Sequence, residues 1–182
     1  ESAGREAVLT SIEYARRAGT RIILDLDYRP YSWLSATDAS IYMGLAAEKA
    51  DIVVGNKEEF EVLNQLMFSD ALSSGREAVS PWLNKGCSLI IYKQGGGKGA
   101  IAFDQEGHTF EGPLYHTEVQ KPFGAGDAFL GTALHYLMKD DDISQAIDKG
   151  AAAASIVISR EACSASSPTE QELEDFILNY HN

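Results

Sequence analysis

The segment Lys121-Pro122-Phe123-Gly124-Ala125-Gly126-Asp127 leads directly into an apolar helical run. Successive backbone N–H groups of Gly124, Ala125 and Gly126 can converge there beside the positive end of the helix dipole, which makes an anion hole. The same letters also spell a tight turn with Asp127 as the N-terminal capping residue. Asn56-Lys57-Glu58-Glu59 follows an apolar run and has the spacing of a capping box. Lys93-Gln94-Gly95-Gly96-Gly97-Lys98-Gly99, taken alone, is a flexible hairpin. Asp25 and Arg29 follow another apolar run, where open α/β sheets bind ligands. A guanidinium at that place suits an anion, or a surface salt bridge to a nearby acid. The four His residues, His108, His116, His135 and His181, are dispersed without the spacing of a zinc site, and no G-x-S-x-G elbow occurs.

The elements that must position these residues alternate along the chain. Arg5 to Arg17 has a helical period and stops at Gly19; Arg21 to Leu26 reads as a buried parallel strand. A helix from about Asp38 to Lys49, a strand Asp51 to Val54, a helix after Asn56, a helix before Gly86 and a strand Ser88 to Tyr92 follow. Gly99 to Asp104, Gly107 and His108 to Phe110 predict a hairpin. The rest is helical: Asp127 to Lys139, Ile143 to about Arg160, and a last helix opened by the capping spelling Thr169-x-x-Glu172. Helix and strand in turn predict an α/β fold with a mostly parallel sheet, in one layered domain over residues 1–182. The opening helix needs a sheet face, so at least one strand is expected before residue 1.

Composition narrows the function. The 182 residues are 45% hydrophobic and 23% charged, with 15 Lys plus Arg against 27 Asp plus Glu, a formal net charge of −12. Such a surface repels nucleic acid, so any anionic ligand must be held by local amides or a few placed cations. Cys87 and Cys163 have neither metal-ligand spacing nor the density of a disulfide scaffold, which fits a cytoplasmic protein; no membrane partner is expected.

Gly124-Ala-Gly-Asp127, with a Gly-rich hairpin before it and a small-residue helix after it, resembles the signature of the PfkB (ribokinase-like) carbohydrate kinases. More narrowly, three segments resemble the 5-dehydro-2-deoxygluconokinases of inositol catabolism. They are Asp25-Leu-Asp-Tyr-Arg-Pro-Tyr-Ser-Trp33, Lys121 to Asp127, and Ala151 to Arg160 with Cys163-Ser164. The resemblance covers essentially all of the chain and implies the C-terminal portion of a three-layer α/β/α kinase, whose N-terminal part and lid lie outside it. It implies ATP and Mg²⁺ as cofactors, a small sugar acid as substrate, and homo-oligomers for the full-length protein. Asp127 would be the base that takes the proton from the sugar hydroxyl, and Gly124, Ala125 and Gly126 the hole for the transferring phosphoryl group. That assignment is chemically coherent, since a hydroxyl attacking phosphate needs a carboxylate in reach and fixed donors for developing charge.

The resemblance assigns Asn56 and Glu59 to Mg²⁺, largely through water, with the capping box as a coexisting role. It lays Lys93, Gly95, Gly96 and Gly99 along the nucleotide phosphates and ribose. Because the loop is one residue longer than the family pattern, Gly95 or Gly96 takes the central place, and Lys93 or Lys98 reaches phosphate. Ala151, Ser155 and the loop at Cys163 would meet adenine, with close helix packing as the alternative. Asp25 and Arg29 would meet the substrate, while Tyr31 and Trp33 read as packing for their loop. Where many family members have Asp-Thr and a monovalent cation, this chain has Lys121-Pro122-Phe123, so the Lys121 ammonium replaces that cation or no such site exists. The neighbouring readings are a 2-keto-3-deoxygluconate kinase, a fructokinase, or a non-catalytic nucleotide- or sugar-binding fragment.

Overall fold

The computed structural model describes residues 2–67, 75–95, 98–139, 142–162 and 164–180. They divide into two compact units, Glu1–Gly95 with Ala102–Thr109, and Gly96–Ile101 with Phe110–Asn182. In the second unit the last helices pack mainly on each other.

In the first unit, helix α1 (Ser2–Arg17) is followed by β1 (Ile23–Asp25), α2 (Ala36–Ala47), β2 (Ile52–Asn56), α3 (Lys57–Asn64), α4 (Arg76–Asn84) and β3 (Leu89–Lys93). β1 runs parallel to β2 with Asp25 opposite Val54, and β2 runs parallel to β3 with Asn56 opposite Lys93. The strands follow the order β1-β2-β3-β4-β5, β4 being Ala100–Asp104 and β5 Thr109–Glu111. β2 and β3 are buried for four of their five residues, as central parallel strands should be. β1 corrects the expectation: its three residues are only half-buried, and among the described residues it has β2 as its one neighbour.

Trp82, Phe60, Leu63, Ile90 and Val79 form the centre of this core. The Trp82 indole N–H donates to Asn64 Oδ1 at 2.7 Å, and Asn64 Nδ2 donates to the Ala78 carbonyl at 2.9 Å, which ties α4 to the end of α3. Cys87 is buried there, and burial pushes its thiol up to about 11, so it is a packing residue rather than a nucleophile.

At the β4–β5 turn the His108 ring nitrogen Nδ1 lies 2.7 Å from Asp104 Oδ2. The bond to Asp104 raises the His108 pKa. A raised folded-state pKa gives stability that is full below the unfolded value of about 6.5 and is lost as pH rises through the folded value. The difference in melting temperature between the wild type and His108→Gln is therefore expected to be larger at pH 5.5 than at pH 8.5, read by thermal melts at both; equal differences would contradict it.

The second unit holds α5 (Ala125–Leu137), α6 (Ile143–Ile158) and α7 (Glu170–Tyr180). α5 and α6 pack against each other at Gly150. A Cβ there would lie 2.9 Å from the Phe129 carbonyl oxygen, so only glycine lets the helices approach this far. Tyr115 donates its hydroxyl to Asp148 at 2.6 Å and stacks edge-on to Tyr180 of α7, which fastens α7 beside α6. The capping box expected at Thr169 forms: Glu172 accepts from the Thr169 N–H at 2.8 Å, and Thr169 Oγ1 accepts from the Glu172 N–H at 3.3 Å.

Candidate active site

The second unit carries the segment in which the sequence places an anion hole. Gly124 is the N-cap of α5 with φ 85°, a left-handed conformation that glycine adopts without a Cβ penalty. No side chain caps this helix start, and the first hydrogen bond of the helix runs from Ala128 N to Gly124 O at 2.9 Å. The N–H groups of Ala125, Gly126 and Asp127 precede it and have no intrahelical acceptor. Two expectations are refined here. Ala125 and Gly126 belong to the first turn of the helix rather than to a loop before it, and Asp127 is its third residue, not its cap. The Asp127 carboxylate is exposed and has no hydrogen-bond or ion-pair partner among the described residues. The segment before it is held by the end of α6, whose Ile158 carbonyl accepts from Gln120 N at 2.9 Å and Lys121 N at 3.1 Å.

The first unit gathers residues that the sequence analysis assigned to three different ligands. Lys93 Nζ at the end of β3 lies 3.2 Å from Asp25 Oδ1 at the end of β1 and 3.9 Å from Glu59 Oε2 on α3. Asn56 joins them as the N-cap of α3: its Oδ1 accepts from Glu59 N at 2.9 Å, and Glu59 Oε2 accepts from Asn56 N at 2.7 Å. The capping box is therefore real, and it occupies Asn56 Oδ1 and one oxygen of Glu59. What remains for a divalent cation is the second oxygen of Glu59, whose side chain is 4% exposed, and the Asp25 carboxylate that shares Lys93 with it. Mg²⁺ retains several waters in such sites, so this donor set fits a water-mediated ion and not a fully protein-ligated one.

Glu59→Ala is expected to cost about 1 kcal/mol of stability through loss of the box, read by urea denaturation. Glu59→Gln, which keeps the box acceptor, is expected to remain near wild type in the same melts while weakening Mg²⁺-dependent nucleotide binding. Equal stability loss in both would assign the charge itself to folding.

Arg29 forms a 2.5 Å salt bridge to Asp27, with about half of its side chain exposed. Gly95 and Gly99 both have positive φ, 66° and 74°, at the two ends of the Gly-rich segment. Gly96 and Cys163 lie outside the described residues. Ala151 and Ser155 are buried; Ser155 Oγ donates to the Tyr115 carbonyl at 2.9 Å, so its hydroxyl points into the packing of the unit. Trp33 stacks near Tyr42 under the Arg5 guanidinium, as packing for the loop, whereas Tyr31 is exposed. A cavity of about 230 Å³ beside these rings, lined by Leu9, Leu24, Leu26 and Met43, contains none of the predicted site residues. What sequence reading missed is the shared position of Asp25, Glu59 and Lys93; the available signal was that each stands at or just after the C-terminal end of a parallel strand.

No helix among the described residues is long and apolar enough to cross a membrane. A 5-dehydro-2-deoxygluconokinase of Geobacillus kaustophilus is 40% identical over 182 residues, 100% of this chain and 53% of the relative. The chain thus spans about half the length of the curated relatives it matches. Among solved structures, a fructokinase with bound ATP from Xylella fastidiosa superposes with a TM-score of 0.85 at 19% identity, over 98% of this chain and 58% of that one. A putative ribokinase II in complex with ATP and Mg²⁺ from E. coli does so with 0.82 at 22%, over 95% and 53%. These likenesses establish an α/β ribokinase-like fold. The family model described as pfkB family carbohydrate kinase matches residues 2–170, across both units, and the chain belongs to that family.

Proposed function

We propose that this chain is the nucleotide-binding and catalytic portion of an ATP-dependent kinase that phosphorylates a primary hydroxyl of an acidic keto-sugar, 5-dehydro-2-deoxygluconate. The observation that carries the reading is the start of α5, where uncapped amides adjoin an exposed carboxylate that has no partner among the described residues. A capped helix would need neither feature. The narrower choice of sugar rests on the relative at 40% identity, whose name is that of such a kinase.

The Asp127 carboxylate accepts the proton of the sugar hydroxyl as its oxygen bonds to the γ-phosphorus. The bond from that phosphorus to the bridging oxygen breaks, and ADP leaves with the electron pair. The amides of Gly124, Ala125 and Gly126, with that of Asp127 beside them, donate to the equatorial oxygens as charge develops there, a role that fixed dipoles fill without reorganisation. Asn56 and Glu59 would hold water of a Mg²⁺ shell, and the ion would supply neutralising charge to the phosphates. Lys93, Gly95, Gly96 and Gly99 line the nucleotide, Ala151, Ser155 and Cys163 its base, and Asp25 and Arg29 the sugar acid. Lys121 supplies the positive charge that a monovalent cation gives in other members of the family.

The test is a calorimetric titration of the chain with a non-hydrolysable Mg²⁺–ATP analogue, with Asp127→Asn alongside. Saturable binding by both is expected. A folded chain that binds none overturns the nucleotide assignment.

A further inference from the structure

We propose that Lys93 is the resident counter-ion of the carboxylates Asp25 and Glu59, which keeps a free divalent cation out of this corner until one arrives with nucleotide phosphates. This makes it a positioning residue, and its purpose rests on the metal reading of Asn56 and Glu59 given above.

The geometry assigns the role. The ammonium faces Asp25 Oδ1 at 3.2 Å and Glu59 Oε2 at 3.9 Å, and the Lys93 side chain is only 22% exposed. The strand register fixes it there: Lys93 stands opposite Asn56, whose capping box orients the Glu59 carboxylate toward β3. Glu59 is 4% exposed at its side chain, so an uncompensated charge on it would be poorly solvated. An ammonium and a hydrated divalent ion compete to neutralise the same pair of carboxylates, whichever oxygens each faces. Arriving phosphates change the balance, because they offer the ammonium an alternative anion and bring the metal with them. The 12-charge excess of acid over base in the chain gives the exclusion a purpose, since such a surface concentrates free divalent ions around it.

The experiment uses Mn²⁺ alone as probe, titrated into the chain without nucleotide or sugar and followed by the loss of free-ion electron-spin resonance signal. Lys93→Met is expected to bind Mn²⁺ at least about tenfold more tightly than the wild type, since one opposing charge a few ångströms away has been removed. Lys93→Arg should stay at the wild-type level, and Asp25→Asn/Lys93→Met should lose the gain. Unchanged Mn²⁺ binding in Lys93→Met, or equal gains in the Met and Arg variants, overturns the proposal.

If Lys93→Met fails to fold, the double variant decides. A folded double variant shows that the loss came from uncompensated charge, as proposed; an unfolded one shows a packing role and overturns it. The readout involves no ATP, so the two readings fail separately. The Mn²⁺ pattern without analogue binding sinks the kinase reading alone, and analogue binding with unchanged Mn²⁺ affinity sinks this one alone.

Discussion

Asp127→Asn is expected to lower the rate of phosphoryl transfer by about 10²–10⁴-fold, the usual contribution of a positioned general base, with nucleotide affinity within about twofold of wild type. The substitution keeps the shape of the side chain and its place as the third residue of α5. It also leaves the amides of Ala125 and Gly126 untouched, so the anion hole persists. What is lost is the ability to accept a proton. The carboxylate has no partner among the described residues, so no ion pair or hydrogen bond elsewhere is broken, and thermal stability should stay near wild type. The measurement is steady-state turnover with Mg²⁺–ATP and the keto-sugar acid, made on the chain or on a longer polypeptide that carries it, beside calorimetry of the ATP analogue. A variant that turns over at the wild-type rate would remove Asp127 from the mechanism. One that loses both turnover and nucleotide binding would make it a structural residue of the hole.

The largest expected effect on stability comes from Trp82→Ala, about 3–5 kcal/mol for truncating a fully buried indole. Trp82 has no exposed surface, and its N–H is the donor to Asn64 Oδ1 at 2.7 Å. Truncation opens a cavity under α2, where a Cβ on Gly44 would stand 3.7 Å from the indole ring, and leaves the Asn64 oxygen buried without a donor. Against a typical domain stability of about 5–15 kcal/mol, that loss is a large share. Trp82→Phe separates the two causes, since it keeps most of the volume and removes only the hydrogen bond, at about 1–3 kcal/mol. Urea denaturation followed by circular dichroism reads both. A loss below about 1 kcal/mol in Trp82→Ala would mean that the neighbouring side chains collapse into the space. Asn64 ends the helix that Asn56 and Glu59 begin, so the Trp82 contact also steadies the element that presents the Glu59 carboxylate.

The sequence by itself determined the features whose causes are local. Helix ends were legible because caps act over three or four residues: Asn56 with Glu59 and Thr169 with Glu172 form the boxes their spacing predicts. The parallel strands β2 and β3 were legible from continuous apolar runs, and the start of α5 from the Gly-Ala-Gly before an apolar helical run. Tertiary structure decided the rest. Asp25 and Lys93 are 68 residues apart, and only the parallel register brings their ends together with Glu59. The inward turn of the Ser155 hydroxyl depends on the Tyr115 carbonyl, 40 residues away. Local backbone chemistry fixes which groups a segment offers, but which groups face one another is set by strand order and helix packing, and these depend on pairings that no short stretch of sequence contains.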